Sequence, residues 1–392
     1  MSQSKIDQAN LAAKEGQWDL VIKCLQEMPL NAPKEQEKIL KLGLQVLELG
    51  DFTQRWDIAK IITKLGRNII NPLIEILKDQ EADLELRWFV ARILAEFNHP
   101  DVVNALVFVL AHTNDEDLVT IIASALANMG QTAIGVLTDL LINPKTRLLA
   151  VRSLCEIRHS ETITPLLAVV EDTDVNIRIL AIEALSSFHD QRIIPVLISA
   201  LKDISPLVRK EAIIGLGMRS DLLEEIDLVK EIKPLLYDVN IDVCKQAAHS
   251  LSRLVTNVSA TSLFELLKSP HSPISLKIEA IRSLAWMDNE ISIKYLEDIL
   301  QLHQDNAQII QEIVIMLGQI EKSELKNLAS QVLINFVAND EQKKLDDVMK
   351  QNIALSLGML GDKSAKECLN KWREDENKGV RLHAIAALKK MI

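Results

Sequence analysis

An all-α fold, an α-solenoid of stacked helix pairs, is what this 392-residue chain predicts, and three observations carry it. The first is composition. Hydrophobic residues make up 48% and charged residues 25%, enough apolar material for a sizeable core. Only 12 Gly and 11 Pro punctuate the chain, which disfavours turn-rich β architectures, while Leu, Ile and Ala dominate. The second is a recurring nine-residue string, and the third is the apolar run that follows each copy.

The string reads LRWFVARIL at 86–94, TRLLAVRSL at 146–154, IRILAIEAL at 177–185, VRKEAIIGL at 208–216, VCKQAAHSL at 243–251, LKIEAIRSL at 276–284 and VRLHAIAAL at 380–388. Weaker copies fill the gaps. Taking the second residue of each copy as its anchor gives positions 55, 87, 119, 147, 178, 209, 244, 277, 310, 350 and 381, spaced by 28 to 40 residues. Within one copy, Ile177, Ala181, Ile182 and Leu185 recur at one-turn spacing and paint a single stripe on a helix. A second helix follows, opened by proline in Pro165–Val170 and Pro195–Leu201, where the missing N–H costs no intrahelical bond. Turn residues then close the unit, as in Glu171–Asp174 and Lys202–Pro206. Ala181, Ala212, Ala247, Ala280 and Ala384 stand at equivalent positions and let neighbouring helices approach. A helix pair this short cannot bury its apolar face alone, so stacking on the next pair is obligatory.

The first 50 residues carry further helical patterns, one opened by Gln17–Ile22 and one over Pro33–Leu49. The expected organisation is therefore an N-terminal helical cap over 1–50 and a solenoid over 51–392, with a functional division near 205. Asp172 precedes Arg178 by six residues, and Asp203 precedes Arg209 by six. The anchor is basic in eight units: Arg55, Arg87, Arg147, Arg178, Arg209, Lys277, Lys350 and Arg381. This spacing predicts a structural ladder in which Asp172 and Asp203 pair with the basic residues opening the next helices. A row of arginines for an anionic ligand is the other reading, although each arginine has a candidate carboxylate close by.

The period of about 31 residues, the V/I-R-x-x-A helix and the P-x-L-x-x-x-L-x-D helix resemble HEAT repeats, most closely the short type named after phycobilisome lyases. The likeness covers about residues 50–392. It implies the fold strongly and function weakly, because one repeat type serves unrelated tasks. Members resemble three kinds of protein: bilin lyases, which attach linear tetrapyrroles to phycobiliprotein cysteines; cyanobacterial scaffolds, including partners in antenna turnover and iron–sulfur assembly; and deoxyhypusine hydroxylases. The last carry paired His-Glu dipeptides that bind two irons. None of the eight histidines here is followed by Glu, so a di-iron hydroxylase is excluded.

Other chemistry is equally unmarked. There is no G-x-x-x-x-G-K-[ST], no G-x-S-x-G and no H-E-x-x-H. Cys24, Cys155, Cys244 and Cys368 form no close pair, which fits neither a disulfide framework nor C-x-x-C zinc spacing. Cys24 and Cys155 sit in apolar helical contexts, where a thiol acts as a small hydrophobe. Cys244 takes the anchor position and is a candidate for presentation to a partner's iron–sulfur cluster. A net charge of −11 argues against nucleic acid as partner. A polar N-terminus and the lack of about 20 uninterrupted apolar residues predict no leader, no membrane insertion and a cytoplasmic location.

The surface pattern changes along the array. Two residues after each anchor stand Asp57, Phe89, Ile121, Leu149 and Leu180, then Glu211, Gln246, Glu279, Glu312, Asn352 and His383. Stacking aligns Phe89, Ile121, Leu149 and Leu180 into a stripe with Trp56 and Trp88 at one end. One reading is a wider buried face beneath the N-terminal helices. The other is a partner-binding groove across 55–185, since Trp and Phe are favoured interface anchors, with exposed Glu211, Glu279 and Glu312 marking a solubilising or electrostatically selective half. The expected function is a non-catalytic protein-binding scaffold or assembly factor, with no catalytic residue, metal or cofactor. By resemblance, its partner is a phycobiliprotein or another assembly factor. The alternative is a bilin lyase or lyase subunit holding a phycocyanobilin-type tetrapyrrole, where orientation does most of the catalysis. A third is a partner protein in iron–sulfur assembly.

Overall fold

The computed structural model describes residues 2–29, 33–113, 115–302, 306–339 and 345–391, and among these there is no β-strand. Two compact units form, residues 1–185 and 186–392. The first 50 residues belong to the first unit.

The first unit opens with α1 (Ser2–Lys14), α2 (Trp18–Gln26) and α3 (Pro33–Leu49). Helix pairs follow: α4 (Phe52–Ile62) with α5 (Ile70–Lys78), α6 (Leu84–Leu94) with α7 (Pro100–His112), α8 (Glu116–Asn128) with α9 (Gln131–Leu140), and α10 (Pro144–Glu156) with α11 (Ile163–Leu167). Helix α12 (Val175–Ser186) spans the division. The second unit continues with α13 (Ile193–Ala200), then α14 (Pro206–Gly217) with α15 (Leu228–Ile232), α16 (Ile241–Leu254) with α17 (Asn257–Lys268), and α18 (Ile274–Trp286) with α19 (Glu290–Leu302). It ends with α20 (Ala307–Gly318) and α21 (Ser323–Asn339), α22 (Asp347–Leu360) and α23 (Lys366–Trp372), and α24 (Lys378–Lys390).

All eleven anchors fall on even-numbered helices, and each is the fourth residue of its helix. The cause is local. Asp51, Asp83, Asp115, Asn143, Asn240, Asn306, Asp346 and Asn377 each accept a backbone N–H from the first turn, which fixes where the helix begins. Anchor helices pack on anchor helices (α6 on α8 on α10; α14 on α16, α18, α20, α22 and α24 in turn), and return helices pack on return helices, as in α5–α7–α9 and α17–α19–α21. Each unit is thus two layers deep with the core between them. The recurring alanines lie in that core: Ala181, Ala212, Ala247, Ala280 and Ala384 are fully buried.

The uneven spacing has physical sources. The shortest interval, 28, arises because only Met129 and Gly130 separate α8 from α9, and Gly130 makes the turn at φ +59°, where a side chain would be strained. The longest, 40, contains the 17-residue α21. In the second unit, close approach is built on small residues. A Cβ added to Gly318 in α20 would lie 2.5 Å from Ser356 Oγ in α22, whose hydroxyl donates to Val314 O at 2.9 Å.

The charge ladder exists, but it is offset from the expected pairing by one unit. Arg178 donates to the backbone carbonyl of Asp172 at 2.8 Å, while the Asp172 carboxylate pairs with the preceding anchor, Arg147, at 2.8 Å. Arg209 likewise takes the Asp203 carbonyl at 2.8 Å and grips the carboxylate of Asp238 through two bonds of 2.8 and 2.7 Å. Lys350 pairs with Asp375 at 2.8 Å, and Arg381 takes the Asp375 carbonyl at 2.7 Å. Side chains lean toward the helix N-terminus, so an anchor reaches the turn just before its own helix and meets that turn's carbonyl. The carboxylate in that turn is folded the other way. Asp172, Asp203, Asp238 and Asp375 each accept the N–H two residues on, at 2.7–2.9 Å. That bond fixes an Asx turn. For Asp172, Asp238 and Asp375 the carboxylate is thereby presented to the anchor of the previous unit. Burial pushes the Asp238 carboxyl up, but Arg209 and the Asn240 N–H outweigh it and hold the group below its ordinary value.

Candidate protein-docking site

The predicted stripe divides into a buried hub, an open groove and a tail. Phe89 is the hub. It is 1% exposed, and its ring takes edge-on contacts from Phe52 at 5.2 Å, Trp56 at 6.2 Å and Trp88 at 5.2 Å. This corrects the expectation that Phe89 meets a partner: it supports the two tryptophans instead. Such edge-to-face pairs contribute about 0.5–1.5 kcal/mol each beyond the area they bury. Trp56 and Trp88 are half-buried, and Arg92 lies over both, 4.5 Å from the Trp56 ring and 5.7 Å from the Trp88 ring.

Between α6 and α8 lies a groove of about 500 Å³, bringing Trp88 of one helix beside Ile121 of the next. Leu84, 49% exposed, extends its apolar wall, and Glu85, Asp115 and Asp117 make its charged groups uniformly acidic. Two of the acids are already engaged. Glu85 pairs with Arg55 at 2.6 Å, and Asp115 caps α8 by accepting Leu118 N–H at 2.8 Å. Leu149 and Leu180 stand half-buried on α10 and α12, outside the groove lining, with Cys155 Sγ donating to Leu180 O at 3.4 Å.

Sequence reasoning missed Leu84, Phe52 and Arg92. Their signal was present as one-turn spacing, Phe52 to Trp56 and Leu84 to Trp88 to Arg92, each four residues apart on a helix face. In the second unit, the residues two after the anchors are not freely exposed. Glu211, Glu279 and Glu312 are half-buried, and Glu312 bridges to Arg282 at 2.7 Å. Cys244 is also corrected. It is 3% exposed and its thiol donates to the Asp238 carbonyl at 3.1 Å, taking the place an arginine takes in Arg209, so it is not offered to a partner. Burial likewise pushes the Cys155 thiol up to about 12 and the Cys368 thiol up to about 11, which keeps both protonated. Among the described residues no group of three or more His, Cys, Asp or Glu could hold a metal ion, and no helix is long and apolar enough to cross a membrane.

Paired short helices stacked in chain order, with buried alanines between them, are the arrangement of an α-solenoid. A family model for HEAT repeats matches residues 70–144 and 137–217. Among solved structures, Kap95 in its complex with Nup1 is similar at TM-score 0.62 and 11% identity, over 93% of this chain and 56% of that one. Importin beta is similar at TM-score 0.54 and 13% identity, over 99% of this chain and 65% of that one. Human deoxyhypusine hydroxylase matches 66% of this chain at 20% identity but with a TM-score of only 0.29. This chain thus spans less than two thirds of the two karyopherins, and at these identities the likeness shows the fold alone. No curated protein matches the chain.

Proposed function

We propose that this protein is a non-catalytic docking scaffold that holds a protein partner in the groove between α6 and α8. The observation that carries the reading is a half-buried Trp88 facing Ile121 across an open groove of about 500 Å³ with only acidic groups among its charged lining. Tryptophan placed on a packed aromatic base is the arrangement of an interface hot spot, because its large surface is already ordered before binding. The resemblance of the nine-residue string to the phycobilisome-lyase type supplies the partner class, a phycobiliprotein or an assembly factor. The iron–sulfur reading is not carried forward, because its one candidate, Cys244, is buried and hydrogen-bonded.

A photo-crosslinking residue at Ile121, compared with one at exposed Glu290 of the second unit, tests the proposal in native extract. Capture of a defined partner at 121 alone, lost with Trp88→Ala while helical circular dichroism survives, is the expected result. Equal capture at both positions, or capture indifferent to Trp88, overturns it. Bilin attachment is separable: purified protein mixed with phycocyanobilin should leave its visible band unchanged, and a shifted, intensified band would favour the lyase reading.

A further inference from the structure

The ladder has a rung without its carboxylate, and a cavity opens there. In the turns before α12, α14, α16 and α24, the residue three positions ahead of the helix is Asp172, Asp203, Asp238 and Asp375. Before α8 that position is Thr113, whose hydroxyl copies only half of the aspartate's role: it accepts the Asp115 N–H at 3.2 Å. The anchor that should receive the missing charge is Arg87. It is 6% exposed, and its Nε donates to Leu77 O at 3.0 Å. Among the described residues its guanidinium has no ion-pair partner, unlike Arg55, Arg147, Arg209 and Lys350. Lys277 is similarly buried, but the matching turn position, 304, lies outside the described residues.

Arg87 and Thr113 line a surface cavity of about 230 Å³ together with Lys78, Gln80 and His112. Lys78 Nζ lies 5.4 Å over the Phe108 ring, which also stacks on His112 at 4.3 Å, so both groups are held at the rim. One acidic group lines the cavity, Asp115, and its Oδ1 is spent capping α8. Two permanent cations against one engaged carboxylate leave the cavity positive. A buried guanidinium without a counter-charge is costly, and the group that relieves it is a planar or tetrahedral oxyanion accepting two N–H bonds.

We propose that this cavity binds an oxyanion, a carboxylate or phosphate group, which takes the place of the absent ladder aspartate. Arg87 supplies the paired N–H donors, Lys78 adds charge from the rim, and the Thr113 hydroxyl and Gln80 amide complete the donor set. The cavity borders the docking groove at Asp115, which lines both, but its donors Arg87, Lys78, Thr113 and Gln80 lie outside the groove lining.

Thr113→Asp is the decisive variant, because it installs the charge that the turns before α12, α14, α16 and α24 carry. Thermal unfolding of the full chain is followed in millimolar citrate or inorganic phosphate against chloride at matched ionic strength. A fluorescent Glu-rich peptide, read by anisotropy, tests an acidic side chain as the source. The expected result is an anion-specific rise in Tm in the parent, a Tm raised by about 2–4 °C without anion in Thr113→Asp, and loss of the anion response there. Lys78→Gln, at an exposed position, should weaken the response without changing the fold. A small-anion response alone assigns a free ligand, and peptide binding lost in Thr113→Asp assigns a partner's carboxylate. If neither probe binds, or Thr113→Asp responds as the parent does, the proposal fails.

Discussion

The two units use one helix-pair plan and hold it together differently. In the first, the surface between anchor helices is apolar and aromatic. Phe89 is sealed beneath Phe52, Trp56 and Trp88, and Trp88 opens beside Ile121. In the second, the same positions carry Glu279 and Glu312, tied by Arg282, and adjacent helices close on glycine against serine or alanine, as in Gly318 on Ser356 and Gly358 on Ala387. The anchor register is identical in both. What the difference teaches is that the ladder and the buried alanines specify the stack, whereas the residues one and two beyond the anchor are free to be spent on other tasks.

The largest effect that would sharpen this comparison is Phe89→Ala. Removing a fully buried ring should cost about 3–5 kcal/mol, read as a lower denaturant midpoint. Phe264→Ala, whose half-buried ring stacks on Tyr295 at 4.3 Å, should cost clearly less, and equal losses would break the contrast. Next, Asp238→Ala removes one partner of a pair whose side chains are 11% and 10% exposed, leaving Arg209 uncompensated at a cost of about 3 kcal/mol. The double variant with Arg209→Met should recover part of that loss, which a double-mutant cycle measures.

The same rungs set an acid dependence. The folded-state values of Asp238 and Asp375 lie below the ordinary 3.8; for Asp375 the causes are the Lys350 ammonium and then the Asn377 N–H. Their stabilisation is therefore complete above that ordinary value and is lost as pH falls through the lower folded-state values. Tm measured from pH 5 down to about 2 should drop less steeply in Asp375→Asn than in the parent. Smaller still, Gly318→Ala should destabilise by about 1–3 kcal/mol through overpacking. Its counterpart in the first unit has the opposite sign. A Cβ at Gly135 meets nothing within 4 Å, so Gly135→Ala should stabilise α9 by about 0.4–1 kcal/mol.

Much of this was legible in the chain. The nine-residue string placed every anchor on a helix, and the alanine column marked buried contacts, because helical periodicity and residue size speak directly to packing. The ladder's residue types were legible but its connectivity was not. Counting six residues from Asp172 to Arg178 suggests a local pair, and only the Asx turn, which aims the carboxylate backwards, reveals Arg147 as its partner. Phe89 shared an aligned column with Ile121, yet it is sealed while Ile121 is half-buried, because Phe52 from the preceding anchor helix, α4, covers it. Covering by a neighbour is a tertiary event that no single helix pattern encodes. Thr113 was overlooked for a simpler reason: a missing charge is visible only once the rule it breaks is known.

The sense of the ladder has a consequence for how such a chain can grow. Among the described residues of the second unit, the pairs Arg209 with Asp238 and Lys350 with Asp375 each join an anchor to the turn that follows its own helix pair. A link that is strictly nearest-neighbour and always points the same way does not register how many modules lie on either side. Where a basic anchor faces a ladder aspartate, as at Arg209 and Lys350, a duplicated module would bring its own donor and acceptor, whereas losing one residue from a turn breaks the spacing. Tandem duplication is then a mild event for this architecture, and a frame-preserving single-codon deletion in a turn is the severe one.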